Sequence, residues 1–210
     1  MFTYYGRMPK RVRKPATERR GEIAAAALRL LGRGGLAAVT SAEVAAEVGV
    51  SPAALFRHYA TLAAIVDAAV DLAVASLDGT LPPADAPAAD RLEALARARV
   101  GLFAREPGVA WLLRSEQAYA ALSEPAVRRL RGAIGRSRKV IHGAIRDGVE
   151  LGRLRADVDP RVLLTVFTAT IHAFAGRTGL AQRSAAPPDP DEVLRGLFRL
   201  LANPSKERLR

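Results

Sequence analysis

The chain has 210 residues, half of them hydrophobic and a quarter charged, with 32 Lys and Arg against 21 Asp and Glu for a net charge of +11. That length and apolar content provide for one or two domains with a sizeable buried core and exclude a disordered chain. Cysteine is absent, which excludes disulfide scaffolds, Cys-ligated zinc, iron–sulfur clusters and thiol chemistry.

The first ten residues, MFTYYGRMPK, hold no apolar run long enough for a signal-peptide core. The longest apolar stretch, residues 163–175, is broken by Thr and His and falls short of a membrane span. The expectation is a soluble, cytoplasmic protein with no membrane partner. The +11 balance has two readings: a polyanionic partner, nucleic acid before anionic membrane, or a GC-rich codon bias toward Arg and Ala.

In chain order, residues 7–20 (RMPKRVRKPATERR) carry seven basic residues and one acid, Glu18, and Pro9 and Pro15 disfavour a helix before Thr17. Lys10, Arg11, Arg13 and Lys14 read as a flexible basic arm, residues 1–16, able to track phosphates or enter a minor groove; the other reading is a solvated tail. Helix one is predicted over residues 17–33, with Ile23, Ala27, Leu30 and Leu31 as its apolar stripe and Gly34 and Gly35 as its stop. Two short helices follow, then a longer one over 61–77. GTLPPADAP at 79–87 is a Pro-rich loop, and further helices are predicted over 90–105, 109–122, 125–151, 160–176 and 191–201. A second basic cluster at 128–139 (RRLRGAIGRSRK) reads as the solvated face of a helix. No stretch sustains period-two alternation over a strand length, so the fold class is all-α.

The informative stretch is TSAEVAAEVGVSPAALFRHY, residues 40–59. Thr40 followed three residues later by Glu43 forms a capping box, so a helix starts at Ser41 with Val44, Ala45 and Val48 facing inward. Gly49 supplies a left-handed turn and Val50 plugs the core beneath it. Ser51 caps the next helix and Pro52 takes its first position, where the missing N–H costs nothing. Leu55 and Tyr59 point inward; Ala53, Ala54, Arg57 and His58 point mostly outward. A helix, a glycine turn and a second helix with a small-residue tip make a helix-turn-helix, the alternative being a generic helical hairpin. The small tip lets the backbone approach a groove floor, where alanine methyls meet thymine methyls. Arg57 can read guanine bidentately or hold a phosphate.

At these residues the chain resembles the TetR family of bacterial transcriptional regulators. The family's first helix carries Ile and paired small residues, here Ile23 and Ala26 with Ala27, followed by Gly35. Its pattern T-x3-[IV]-A-x3-G-[VI]-S-x3-[LI]-[YF]-x-[HY]-[FY] then reads Thr40, Val44, Ala45, Gly49, Val50, Ser51, Leu55, Phe56, His58 and Tyr59. The resemblance covers residues 17–70. It implies a three-helix helix-turn-helix DNA-binding domain (17–62) followed by a helical ligand-binding and dimerisation domain (63–202) and a tail (203–210). The partners it implies are double-stranded DNA at a pseudo-palindromic operator, a second copy of the chain, and an unidentified small-molecule effector that releases a repressor.

The family's DNA contacts fall here on Thr40 and Ser41 for phosphates, on Ala42 in some members, on Pro52, Ala53 and Ala54 for bases, and on Phe56, His58 and Leu62. Three of these depart from the pattern. Leu62 stands where lysine commonly holds a phosphate, Phe56 keeps the packing of the usual tyrosine without its hydroxyl, and Ala42 offers no hydrogen bond. Lys10, Arg11, Arg13, Lys14 and Arg57 are therefore expected to compensate. By the family's architecture the last two helices form the dimer contact, with Val166, Phe167, Thr170, Phe174, Leu194, Leu197, Phe198 and Leu201 as its residues; periodicity alone fits core equally well.

The effector site is expected among Phe103, Trp111, Tyr119, His142 and His172, each of which also fits ordinary core. No cofactor or metal is expected, since neither His142 nor His172 has a ligand-spaced partner. No G-x-S-x-G, G-x4-G-K-[ST] or H-E-x2-H pattern supports an enzyme. The alternatives are a nonspecific architectural DNA-binding protein and a basic helical protein at an anionic membrane surface.

Overall fold

Helix one forms because alanine and leucine fill its length while its inward positions recur at helical spacing. In the computed structural model, which describes residues 15–175 and 189–204, this is α1, Ala16–Gly34, burying Ile23, Ala26, Ala27, Leu30 and Leu31. It passes into a 3-10 turn, Gly35–Ala38, that the sequence reading had only as a stop. Then come α2, Ser41–Val48, and α3, Pro52–Leu55. α4, Leu62–Asp78, is apolar on two sides because it lies between α1 and a later long helix, burying Ile65, Val66, Ala69, Val70, Ala73 and Leu77.

The remaining elements are α5, Ala88–Arg105; α6, Pro107–Arg114; α7, Glu116–Ala121; α8, Glu124–Glu150; α9, Pro160–Ala175; and α10, Pro190–Leu201. The single helix predicted over 109–122 is divided at Ser115. Its backbone is extended (φ −87°, ψ 115°), and its hydroxyl accepts the N–H of Ala118 at 3.3 Å to start α7 afresh. Ser123 does the same for α8, accepting from Ala126 at 3.2 Å while donating to the Asp67 carboxylate of α4 at 2.9 Å. α8 spans 27 residues, about 40 Å at 1.5 Å per residue.

One hydrophobic core runs through α1, α4, α5, α6, α8, α9 and α10. No β-sheet occurs among the described residues; an isolated antiparallel bridge, Leu154 with Ala202, ties the loop after α8 to the end of α10. There the Arg155 N–H donates to the Leu201 carbonyl at 3.0 Å. Among the described residues no helix is long and apolar enough to cross a membrane.

Glycines let α1 and α6 cross in close contact. A Cβ added to Gly108 would lie 1.9 Å from the Leu28 carbonyl oxygen, and one on Gly32 would lie 2.6 Å from the Gly108 nitrogen. Two backbones at that separation exclude any larger residue. One turn on, the Trp111 indole packs over Gly35, its Nε1 3.0 Å from where a Cβ would stand.

Candidate DNA interface and effector cavity

α2 and α3 are set by their caps. The Thr40 hydroxyl accepts the Glu43 N–H at 3.1 Å, and the Ser51 hydroxyl accepts the Ala54 N–H at 3.3 Å. Between them Gly49 takes the left-handed conformation (φ 70°, ψ 43°), and the Val50 N–H returns to the Ala45 carbonyl at 3.0 Å. A side chain there would meet its own carbonyl, which is why glycine occupies the turn. Val44, Ala45, Leu55 and Tyr59 are buried beneath it, while Pro52, Ala53, Phe56 and Arg57 are exposed and Ala54 and His58 half-buried. The regular part of α3 is shorter than the motif suggested. After Leu55 the chain tightens, with the N–H groups of His58 and Tyr59 both donating to the Leu55 carbonyl.

Two sets of polar contacts fasten this pair to α1. The Arg20 guanidinium lies 4.2 Å from the centre of the Tyr59 ring and donates to the His58 carbonyl, and the Tyr59 hydroxyl donates to the Arg20 carbonyl at 3.0 Å. On the other side Glu47 of α2 pairs with Arg33, and with Arg29 at 3.3 Å. The hydrogen bond from Arg33 is the main reason the Glu47 carboxyl sits below the usual carboxylate range. Arg20, read in the sequence as part of a basic run, is therefore a fastener of α3; nothing local links it to residues 38 and 39 positions away.

Phe56 is 46% exposed on this surface. Leu62 instead packs partly against the core, and Thr61 caps α4 by accepting from Ala64 at 3.1 Å. Arg57 carries no side-chain hydrogen bond or ion pair among the described residues. Thr40 is exposed and Ser41 half-buried at the start of α2. Lys10, Arg11, Arg13 and Lys14 lie outside the described residues.

The second site is a cavity of about 480 Å³ bounded by α5, α6, α8 and α9. Its walls are mostly aliphatic, including Leu95, Leu113, Ile141 and Leu164, and among the described residues no carboxylate lines it. Arg99 of α5 is the exception, with only 6% of its surface exposed. Its Nη2 donates to the Leu77 carbonyl at 3.2 Å and to the Ser137 hydroxyl at 3.0 Å, and its Nε has no partner. Burial draws this guanidinium down to about 10, opposed by the field of Asp78, so it stays protonated at neutral pH. Asp78 itself is engaged by Arg136, at 3.0 and 2.6 Å. Across the cavity, burial first and then Arg99 and Arg114 push the His172 imidazole below its usual value.

Residues 23–69 match the sequence profile of bacterial regulatory proteins of the tetR family. That segment is similar to the DNA-binding domain of this family. No curated protein is similar in sequence to the chain. Over nearly the whole chain the fold matches solved structures. One is the ketosteroid transcriptional regulator KstR2 of Mycobacterium tuberculosis, 21% identical, covering 91% of this chain and 99% of that one with a TM-score of 0.72. Another is AibR in complex with isovaleryl coenzyme A and operator DNA, 18% identical, covering 89% and 99% with a TM-score of 0.72. A third is a TetR-family regulator from Agrobacterium tumefaciens, 20% identical, covering 90% and 100% with a TM-score of 0.72.

With the TetR fold in place, the sequence-predicted effector residues separate. Only His172 lines the cavity, and Phe103 touches it from behind, their rings 6.3 Å apart. Trp111 is turned to Gly35, Tyr119 lies beneath Arg131 at 6.0 Å, and His142 is exposed on α8. The other three side chains are aimed at neighbours outside this cavity. Arg99 was missed although its signal was legible. It takes the place of an apolar residue in the stripe Leu92, Leu95, Ala96, Leu102 and Phe103, all buried. The residues expected at a dimer contact also separate. Phe167, Leu194, Leu197 and Leu201 are enclosed in the protomer's own core, whereas Val166 is 40% exposed and Thr170, Phe174 and Phe198 are half-buried. Val162 and Leu200, 51% and 64% exposed, share the open surface of α9 and α10.

Proposed function

We propose that the chain is a transcriptional regulator that binds a pseudo-palindromic operator as a homodimer and loses operator affinity when a small molecule occupies the cavity. One observation carries the link between the two sites: α6 lines the cavity through Leu113, grips α1 of the DNA-binding domain through Gly108, and holds the turn after α1 through Trp111 on Gly35. A ligand that displaces α6 acts directly on the helix to which α2 and α3 are fastened. The structural relative AibR, held in complex with isovaleryl coenzyme A and operator DNA, supports a chain of this fold that takes both a small molecule and DNA.

In this reading Pro52, Ala53, Ala54, Phe56, Arg57 and His58 meet the major groove and Thr40 and Ser41 hold phosphates. Lys10, Arg11, Arg13 and Lys14 add phosphate contacts from the arm. The outward residues of α9 and α10, Val162, Val166 and Leu200, join the half-buried Thr170, Phe174 and Phe198 against a second copy. Half-sites then lie about 34 Å apart or a multiple of it, so a small pivot breaks register.

The test is selection of duplexes from a random library, followed by titration of the winner and a scrambled duplex at two salt concentrations. A palindromic winner preferred by about 4 kcal/mol or more supports a specific regulator. Equal binding with a steep salt slope favours the architectural reading instead. Arg57→Ala sharpens the outcome. A guanine reader loses about 1–3 kcal/mol at one base pair, whereas a phosphate contact weakens every sequence alike.

A further inference from the structure

Buried guanidinium groups in folded chains are matched by carboxylates, because an uncompensated charge in an apolar interior carries a large desolvation penalty. Arg99 is not so matched. It is 6% exposed, both its hydrogen bonds go to neutral oxygens, and its Nε points to no acceptor. Among the described residues the carboxylate whose field reaches it, Asp78, is held bidentately by Arg136. Among the described residues the cavity has no acidic side chain in its lining, and a second cation, Arg138 of α8, joins Arg99 there. The rest of the lining is aliphatic apart from Thr165, Thr168, Ser137 and the His172 imidazole, whose charged form burial and the nearby arginines disfavour.

An aliphatic chamber with one buried, unpaired cation lacks a single thing, an anion attached to something greasy. We propose that the cavity takes a small organic acid whose apolar body lies against Leu95, Leu113, Ile141 and Leu164 and whose carboxylate pairs with Arg99. A neutral apolar ligand would leave the guanidinium uncompensated, and a fully polar anion would leave the aliphatic walls unfilled. This deepens the reading of the chain as an effector-responsive regulator and rests on it for its biological meaning.

The experiment uses the full chain and calorimetric titration with straight-chain monocarboxylates from hexanoate to dodecanoate, each compared with the 1-alcohol of equal length. The acids are expected to bind at least about 10-fold more tightly than their alcohols, the margin of one charge-assisted contact. Arg99→Met is expected to erase that preference and Arg99→Lys to keep part of it. Alcohols binding as well as acids, no binding by any acid, or an undiminished preference in Arg99→Met would each overturn the proposal. Should Arg99→Met fail to fold, Ala169→Phe fills the exposed mouth of the cavity and must abolish acid binding; acid binding that survives it places the site elsewhere and also overturns the assignment. Release of the selected operator duplex is measured separately. Acids that bind and leave duplex affinity unchanged uphold the anion site and sink the effector-responsive reading. An alcohol that releases the duplex where acids do not does the reverse.

Discussion

The DNA-binding domain and the cavity region solve opposite problems with the same helical material. Around the helix-turn-helix, helix starts are capped from within a few residues, by Thr40, Ser51 and Thr61. The polar side chains that reach across, Arg20 with Tyr59 and Glu47 with Arg29 and Arg33, end in matched pairs. Around the cavity the one buried cation is left short of partners, and the groups that hold it, Leu77 and Ser137, come from α4 and α8. A reader of a rigid duplex gains from having its unbound state fully satisfied, since every loose group would add ordering cost on binding. On the proposed reading a sensor gains from the reverse, because a deficit that a ligand repairs would be a source of its affinity and of a differential effect on two states. α6 stands between the two regions, and substitutions can separate them.

The largest effect is expected from Gly108→Val. The added atoms collide with the Leu28 carbonyl, which is backbone and cannot give way, so the cost is about 3 kcal/mol. Urea unfolding reads the stability loss, and ligand-induced change in duplex affinity should vanish even under conditions where the chain remains folded. Smaller is Arg20→Ala, which removes both the cover over Tyr59 and the bond to the His58 carbonyl, at about 1–2 kcal/mol. It should weaken duplex binding while leaving acid binding in the cavity intact. Equal loss at both sites would show that the two regions are one cooperative body.

The cavity region has a pH signature. His172 titrates below 6.5 in the folded chain, because burial and the nearby Arg99 and Arg114 disfavour its charged form. The unfolded state therefore takes up the proton first as pH falls. Stability from this group is full above 6.5, declines as pH drops through the interval down to the folded value, and levels off below it. Melting temperatures measured from pH 7.5 to 5 should show a decline that His172→Leu flattens. A decline unchanged by that substitution assigns it to other groups. The smallest effect is expected from Leu62→Lys. If the phosphate contact implied by the family is the one lacking, duplex binding strengthens for all sequences and the salt slope steepens by about 0.9. Acid binding does not change.

Legibility followed the range of the forces involved. The capping box at Thr40, the left-handed Gly49 and the Ser51–Pro52 start of α3 were all readable, because each is decided within four residues. The break of the predicted 109–122 helix was readable in principle, since Ser115 is a capping residue, but helix propensity on either side outweighed it in the pattern. Arg99 was readable as a charge in an apolar stripe. Its missing counterion was not, because that depends on what α4 and α8 bring to it. The fate of the eight dimer candidates turned on the same limit. Helical spacing places Phe167 and Val166 on neighbouring faces, and only the packing of α5 and α10 against α9 says which face is enclosed.

By itself the sequence determined the all-helical class, most helix boundaries to within a few residues, though not the break at Ser115, and the helix-turn-helix with its caps and glycine turn. These rest on local backbone sterics, capping and periodicity, which act over a turn or two of chain. The tertiary structure alone decided that Arg20 fastens α3, that Gly108 sets α6 against α1, and that Arg99 lies buried and unpaired beside a cavity. Those outcomes depend on which distant segments share a few ångströms of space, and desolvation and steric exclusion take their values only once that sharing is settled.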